Sequence, residues 1–95
     1  MSYELEFKKS ALKEWRKLGA TIKTQFRNKL AIVLEQPRIP GSQLSGATNL
    51  YKIKLRSAGY RLVYEVNDDV VTVTVIAIGK REGAKVYKNA MARKS

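Results

Sequence analysis

The 95-residue sequence predicts an α+β fold: an N-terminal strand, a helical hairpin, an antiparallel meander sheet and a short C-terminal helix. Three observations carry the prediction. Apolar residues recur at spacings of three and four from Ala11 to Leu34, the period of helices with one buried face. From Tyr51 to Val66 apolar and polar residues alternate, the period of strands. Between them lies a stretch rich in Pro, Gly and Ser that suits neither.

Each element follows in order. Tyr3, Leu5 and Phe7 alternate with Glu4 and Glu6, predicting a half-buried strand over Tyr3–Phe7. Ala11, Leu12, Trp15 and Leu18 form a helical stripe over Lys9–Leu18, with Gly19 placed to close it as a C-cap. Ile22, Phe26, Leu30, Val33 and Leu34 mark a second helix that ends near Gln36, because the residue before Pro37 is biased out of the helical region. Trp15 and Phe26 read as core, and Lys13, Arg16 and Lys17 as solvated charges. Residues Pro37–Asn49 read as an irregular loop. Strands are expected at Leu50–Arg56, Tyr60–Asn67 and Val70–Ile78, joined by turns at Ser57-Ala58-Gly59 and Asn67-Asp68-Asp69. Asp68 and Asp69 are read there as turn formers. After Gly79, a loop through Lys80–Gly83 leads to a marginal helix over Ala84–Ala92, where Val86, Tyr87, Ala90 and Met91 make a weak apolar stripe.

The length fits one domain spanning residues 1–95, and 44% hydrophobic residues suffice for a core without staples. There is no cysteine, which excludes a disulfide framework and fits a reducing compartment. No apolar run is long enough to span a membrane, and Met1–Lys9 lacks the apolar core of a signal peptide, so a cytoplasmic protein without a membrane partner is expected.

Nineteen Lys and Arg against eight Asp and Glu give a formal charge of +11, which points to a polyanionic partner. The placement matters more than the sum. Between Glu35 and Glu65 there is no acid, while Arg38, Lys52, Lys54, Arg56 and Arg61 fall in that interval. Strand alternation puts Tyr51, Ile53 and Leu55 on one face and Lys52, Lys54 and Arg56 on the other. With the helical hairpin on the apolar face, Lys52, Lys54 and Arg61 should project together from the uncovered one, the two lysines about 6 to 7 Å apart. Ordinary wet faces mix charge signs, and this one does not.

Chemistry is constrained by what is missing. With no histidine and no cysteine, a histidine-based ribonuclease mechanism, a cysteine nucleophile and a histidine metal site are excluded, and no cofactor is expected. RNA cleavage stays open, because the 2′-hydroxyl is a built-in nucleophile and the main need is charge stabilisation at phosphorus. Crowded cations supply that, and their repulsion lowers a lysine pKa toward values useful for a base. Composition and spacing permit this reaction without requiring it.

The runs ALKEWRKLG (Ala11–Gly19), YKIKLRSAGYRLVYEV (Tyr51–Val66) and GKRE (Gly79–Glu82), followed by Tyr87, closely resemble the RelE toxins of bacterial toxin–antitoxin systems, in order along almost the whole chain. The resemblance implies a small RelE-like fold and a ribosome-dependent mRNA endonuclease. Such an enzyme enters the vacant A site, contacts rRNA, and cuts the codon there to leave a 2′,3′-cyclic phosphate and a 5′-hydroxyl, inhibiting translation. It implies roles by position: Lys52 and Lys54 activate the 2′-hydroxyl and stabilise the transition state, with Lys54 as general base. Arg61 stabilises the phosphate, Arg81 is the general acid for the leaving oxygen, and Tyr87 stacks on the cut nucleotide. It also implies a RelB-type antitoxin that neutralises the toxin and, with it, represses transcription at operator DNA. Antitoxin binding is expected to displace Ala84–Ala92, moving Tyr87 and changing access to Arg81.

The chain departs from the family pattern at Ser45, where relatives often carry arginine, and it ends in the basic run Arg93-Lys94-Ser95, expected to meet rRNA or antitoxin. Two alternatives stand beside the nuclease: a ParE-like toxin acting on DNA gyrase, and a non-catalytic RNA-binding module for which charge alone would suffice.

Overall fold

The computed structural model describes residues 2–94. Met1 and Ser95, which enter the readings of the chain's start and of its basic tail, lie outside the described residues. The elements run β1 (Glu4–Phe7), α1 (Lys9–Arg16), α2 (Ala20–Glu35), β2 (Leu50–Leu55), β3 (Tyr60–Asn67), β4 (Thr72–Lys80), a 3₁₀ turn at Glu82–Ala84, and α3 (Lys85–Arg93). The strands form one sheet in the order β1-β4-β3-β2. β2, β3 and β4 are the expected antiparallel meander, and β1 joins it in parallel against β4, pairing Glu4 with Thr72 through Phe7 with Val75. This is the α+β fold that the sequence predicts.

The helical hairpin covers one face of the sheet. Ala11 of α1 and Phe26, Leu30 and Val33 of α2 are buried with Tyr51, Ile53 and Leu55 of β2, Leu62, Tyr64 and Val66 of β3, and Val73, Val75 and Ile78 of β4. Burying a large apolar side chain contributes about 1.5 to 3 kcal/mol, so this face holds most of the stability. Gly19 does not cap α1 as expected. It has φ −68° and ψ 160° and opens α2, while Lys17 ends α1, its N–H donating to the Glu14 carbonyl and the Leu18 N–H to the Trp15 carbonyl.

The other face is half covered, a departure from the expectation of a bare basic surface. α3 packs there, burying Val86 and Ala90 against Leu44, Leu50, Val63, Ile76 and Ala77. A bulge makes this possible. Val63 pairs with Ala77 and Tyr64 with Val75, so Ile76 is the extra residue, and the neighbours Ile76 and Ala77 both pack toward α3. Simple alternation would have sent one of them to the opposite side.

β4 is also displaced two residues along the chain from its expected span. Asn67 Oδ1 accepts hydrogen bonds from the Asp69 and Val70 N–H groups, and Val71 adopts φ 50°, so the turn is longer than three residues. Beyond Val75, β4 has no β1 residue beside it. Glu14 of α1 takes over: its carboxylate accepts from the Ile78 N–H (3.0 Å) and from Arg93 (3.0 Å), while Arg93 Nη1 also donates to the Ile76 carbonyl (2.9 Å). Arg93, expected to meet rRNA or antitoxin, is therefore the intramolecular clamp of α3.

The loop from Pro37 to Asn49 is pinned at both ends. Tyr64, fully buried, donates its hydroxyl to the Pro37 carbonyl (2.7 Å), and burial holds its pKa well above the usual phenol range. Arg38 donates to Asp68 Oδ2 (2.7 Å) and Asn49 Oδ1 (3.0 Å), and Tyr3 donates to Asp68 Oδ1 (2.7 Å). These donors hold the Asp68 carboxyl below the usual carboxylate range, Arg38 first. Asp68 thus does more than form a turn: it ties the loop to β1 and to the β3–β4 connection.

Candidate active site

β2 is the outermost strand of the meander, and its alternation divides its residues between the two faces. Leu50, at the end nearer α3, joins the second apolar cluster. Lys52 and Lys54 follow on the same face, half-buried and exposed respectively, beyond the reach of that cluster. In the register Lys54 lies directly opposite Arg61, and Lys52 opposite Val63. Directly paired residues have Cβ atoms about 4.5 to 5.5 Å apart, so Arg61 and Lys54 are neighbours on one face, as the sequence predicts.

Arg61 is only 8% exposed, and its guanidinium donates to the Tyr60 carbonyl (2.9 Å). Among the described residues no carboxylate pairs with Lys52, Lys54, Arg56 or Arg61. The ion pairs there join Arg38 to Asp68 and Arg93 to Glu14. A nearly buried arginine without an acid is costly to stability, and such a residue suits an anion brought from outside. Repulsion shows in the lysine: Lys54 has its pKa lowered, first by Lys52, then by burial, then by Arg56 and Arg61. A lysine so placed is more readily neutral, which is the state a general base needs.

Two clefts adjoin the lysines, both lined by Ser42, Lys52 and Lys54. One, of about 200 Å³, runs toward Lys29, Ile32 and Ile39; the other, of about 220 Å³, is completed by Gly41 and Arg56. Ser42 is held against the strand because its carbonyl accepts the Lys52 N–H (2.9 Å).

Arg81 and Tyr87 occupy other walls. Arg81 follows β4 and is exposed, and its N–H donates to the carbonyl of Gly59 in the β2–β3 turn (2.9 Å), which fixes the junction beside the meander's end. Gly79, opposite Arg61, faces Val86: an added Cβ would stand in ordinary van der Waals contact, 3.6 Å from the valine Cβ. The first turn of α3 is thereby set against the face carrying Arg61. Tyr87, half-buried, lines an apolar hollow of about 440 Å³ with Leu44, Ser45, Ala84, Lys88 and Met91. Lys52, Lys54 and Arg61 are thus brought together by the β2–β3 pairing, while Arg61, Arg81 and Tyr87 line neither lysine cleft.

Arg56, which the alternation places on the face of Lys52 and Lys54, was not assigned a role from sequence; the structure sets it in the wall of the second lysine cleft. Among the described residues there is no group of three or more His, Cys, Asp or Glu able to hold a metal ion, and no helix is long and apolar enough to cross a membrane. The arrangement offers one candidate base and several cations around an anion-sized space, which suits binding and cleavage of a phosphodiester.

Comparison with known proteins agrees. Residues 5–84 match the family described as ParE toxin of type II toxin–antitoxin system, parDE. The mRNA interferase toxin RelE of Escherichia coli K12 is 56% identical, the match covering 98% of each chain. The free state of an arginine-substituted variant of E. coli RelE superposes with a TM-score of 0.92 at 54% identity, covering all of both chains. The toxin in the intact E. coli RelBE toxin–antitoxin complex superposes with a TM-score of 0.82 at 57% identity, over 85% of this chain and 99% of that one.

Proposed function

The chain belongs to the RelE family of type II toxin–antitoxin toxins, and from that membership and its site we infer that it is an mRNA interferase whose cutting inhibits translation. Neither the gyrase reading nor the non-catalytic module is favoured, since the relative that matches nearly the whole chain is an mRNA interferase. A RelB-type antitoxin is its partner, as in the solved toxin–antitoxin complex. With that antitoxin it takes part in transcriptional autorepression, the antitoxin contacting operator DNA.

We propose that the cut is made on the codon in the ribosomal A site, in the cytoplasm, with rRNA contacts from the basic surface. The 2′-hydroxyl oxygen attacks the adjacent phosphorus as its proton passes to neutral Lys54. Lys52 and Arg61 stabilise the charge that builds on the phosphoryl oxygens. Arg81 protonates the departing 5′-oxygen, and Tyr87 stacks on the nucleotide to align it. The products are a 2′,3′-cyclic phosphate and a 5′-hydroxyl. The observation that carries this reading is Arg61: nearly buried, without a carboxylate partner among the described residues, and paired across the sheet with a lysine whose pKa is lowered.

The test is primer-extension mapping on programmed ribosomes. Cuts confined to the A-site codon with cyclic phosphate ends are expected; intact mRNA would overturn the reading. Equal cutting of free RNA would remove its ribosome dependence. An Arg81→Ala variant should bind ribosomes nearly normally and cut roughly tenfold to a hundredfold more slowly. The same proposal extends to inhibition: antitoxin displaces the segment 84–92, so its amide protection should change on adding antitoxin, and unchanged protection would count against it.

A further inference from the structure

We propose that the cleft bounded by Gly41, Ser42 and Arg56 is a second phosphate subsite, holding an mRNA backbone phosphate next to the one being cut. This rests on the reading of the chain as an mRNA-cutting toxin. It adds a binding role for Arg56 and the Ser42 hydroxyl.

The lysines have cations on both sides. Arg61 lies inboard on β3, opposite Lys54, while Arg56 and the 39–42 segment lie at the outer strand β2. A single phosphodiester carries one negative charge, and even a doubly charged phosphorane leaves four clustered cations undercompensated. Two neighbouring phosphates match them better. A lone point of charge would not explain why the cations extend in a line along β2 and past its end.

The cleft's walls suit a phosphate. Gly41 has φ +81°, a left-handed conformation natural to glycine, and nothing lies within 4 Å of where its Cβ would stand, so that wall is backbone only. Ser42 spends both backbone groups, its N–H on the Ile39 carbonyl (3.1 Å) and its carbonyl on the Lys52 N–H (2.9 Å). Its hydroxyl makes no hydrogen bond among the described residues, and Ser42 is part of the cleft wall. Arg56 is exposed and likewise unpaired with any acid among the described residues, leaving its planar fork available for two phosphate oxygens. Arg56 lines this cleft together with Lys52 and Lys54, which places it beside the proposed reacting centre.

The experiment is single-turnover cleavage on programmed ribosomes at varied toxin concentration, at alkaline pH where the rate has levelled off. Arg56→Ala, Arg56→Gln and Ser42→Ala should each raise the half-saturating concentration, Arg56→Ala by roughly three- to tenfold, while the rate at saturation stays within about twofold. A second arm uses mRNA with an uncharged methylphosphonate placed in turn at each phosphate flanking the cut. At one position the modification should weaken wild type but add little to Arg56→Ala, because both remove the same contact. Full additivity at every position would overturn the subsite, the arginine then meeting rRNA instead. Unchanged half-saturation in both Arg56 variants would overturn it too, with the parent reading intact. A wild type that cuts no mRNA at all would overturn the parent reading, and the subsite with it.

Discussion

At the scale of the residue, the proposed site lies where charge is crowded and left unneutralised among the described residues. Lys52→Ala, Lys54→Ala, Arg61→Ala and Arg81→Ala should each lower the single-turnover rate by roughly tenfold to a hundredfold, the scale of losing one stabilising or proton-transfer group. Wild-type rates in all four would refute the assignment. Tyr87→Phe should cost less than Tyr87→Ala if stacking is what matters. The pH profile tests Lys54 more sharply. A base must be neutral, so the rate should climb with pH, about tenfold per unit, and level off above the lysine's lowered pKa. Lys52 is the largest influence lowering it, so Lys52→Ala should move the midpoint to higher pH as well as lower the plateau. An unmoved midpoint would show that another group is the base. Lys52, Lys54 and Arg61 were legible in the sequence because parity alone fixes their shared face. Arg81 and Tyr87 were not, since they follow the sheet and owe their positions to the Arg81–Gly59 hydrogen bond and the docking of α3. Those two came from resemblance alone.

At the scale of the element, periodicity delivered the helices and strands, and side-chain hydrogen bonds decided what periodicity could not. The β3–β4 turn lengthened because Asn67 captures two backbone N–H groups, and Gly19 changed helices because α1 closes at Lys17. The bulge at Ile76 was invisible because both Ile76 and Ala77 are apolar and read equally well as core of either face. Two predictions belong here. Tyr64→Phe leaves the buried Pro37 carbonyl without its donor, and should destabilise the protein by about 1 to 3 kcal/mol in denaturant titration. A loss near zero would mean the loop is held by the Arg38–Asp68 clasp alone. α3 buries only Val86 and Ala90, against the three large side chains Phe26, Leu30 and Val33 that anchor α2, so its clamp matters more. Arg93→Ala removes the donor to Glu14 and Ile76, and should speed amide exchange across Lys85–Arg93 well before β3 and β4 respond. Equal acceleration everywhere would make Arg93 a contributor to global stability rather than a clamp of α3.

At the scale of the whole molecule, the two sheet faces divide the work. The hairpin packs on one face, which is where the larger core cluster sits. α3 fills half of the other, and the lysines and Arg61 emerge from the half it leaves open. The total charge and the shared face of Lys52, Lys54 and Arg61 were legible from the sequence, but how much of that face stays open was not: it depends on where α3 packs, and that depends on a bulge and on one salt bridge at the end of the helix. The division separates binding from cutting in their response to salt. Ribosome association draws on the +11 of the whole surface and releases counterions, so affinity should fall steeply and linearly on a log–log plot between about 50 and 200 mM salt. In the proposed reaction the bound phosphate meets Arg61, a residue only 8% exposed, where mobile ions screen poorly. The rate at saturating toxin should therefore change far less than the affinity over the same range. Pre-steady-state cleavage at several salt concentrations, each titrated to saturation, reads both quantities from one data set. If the saturated rate fell as steeply as the affinity, the catalytic cations would be solvent-screened like the rest of the surface, and a nearly buried Arg61 could not be what stabilises the transition state.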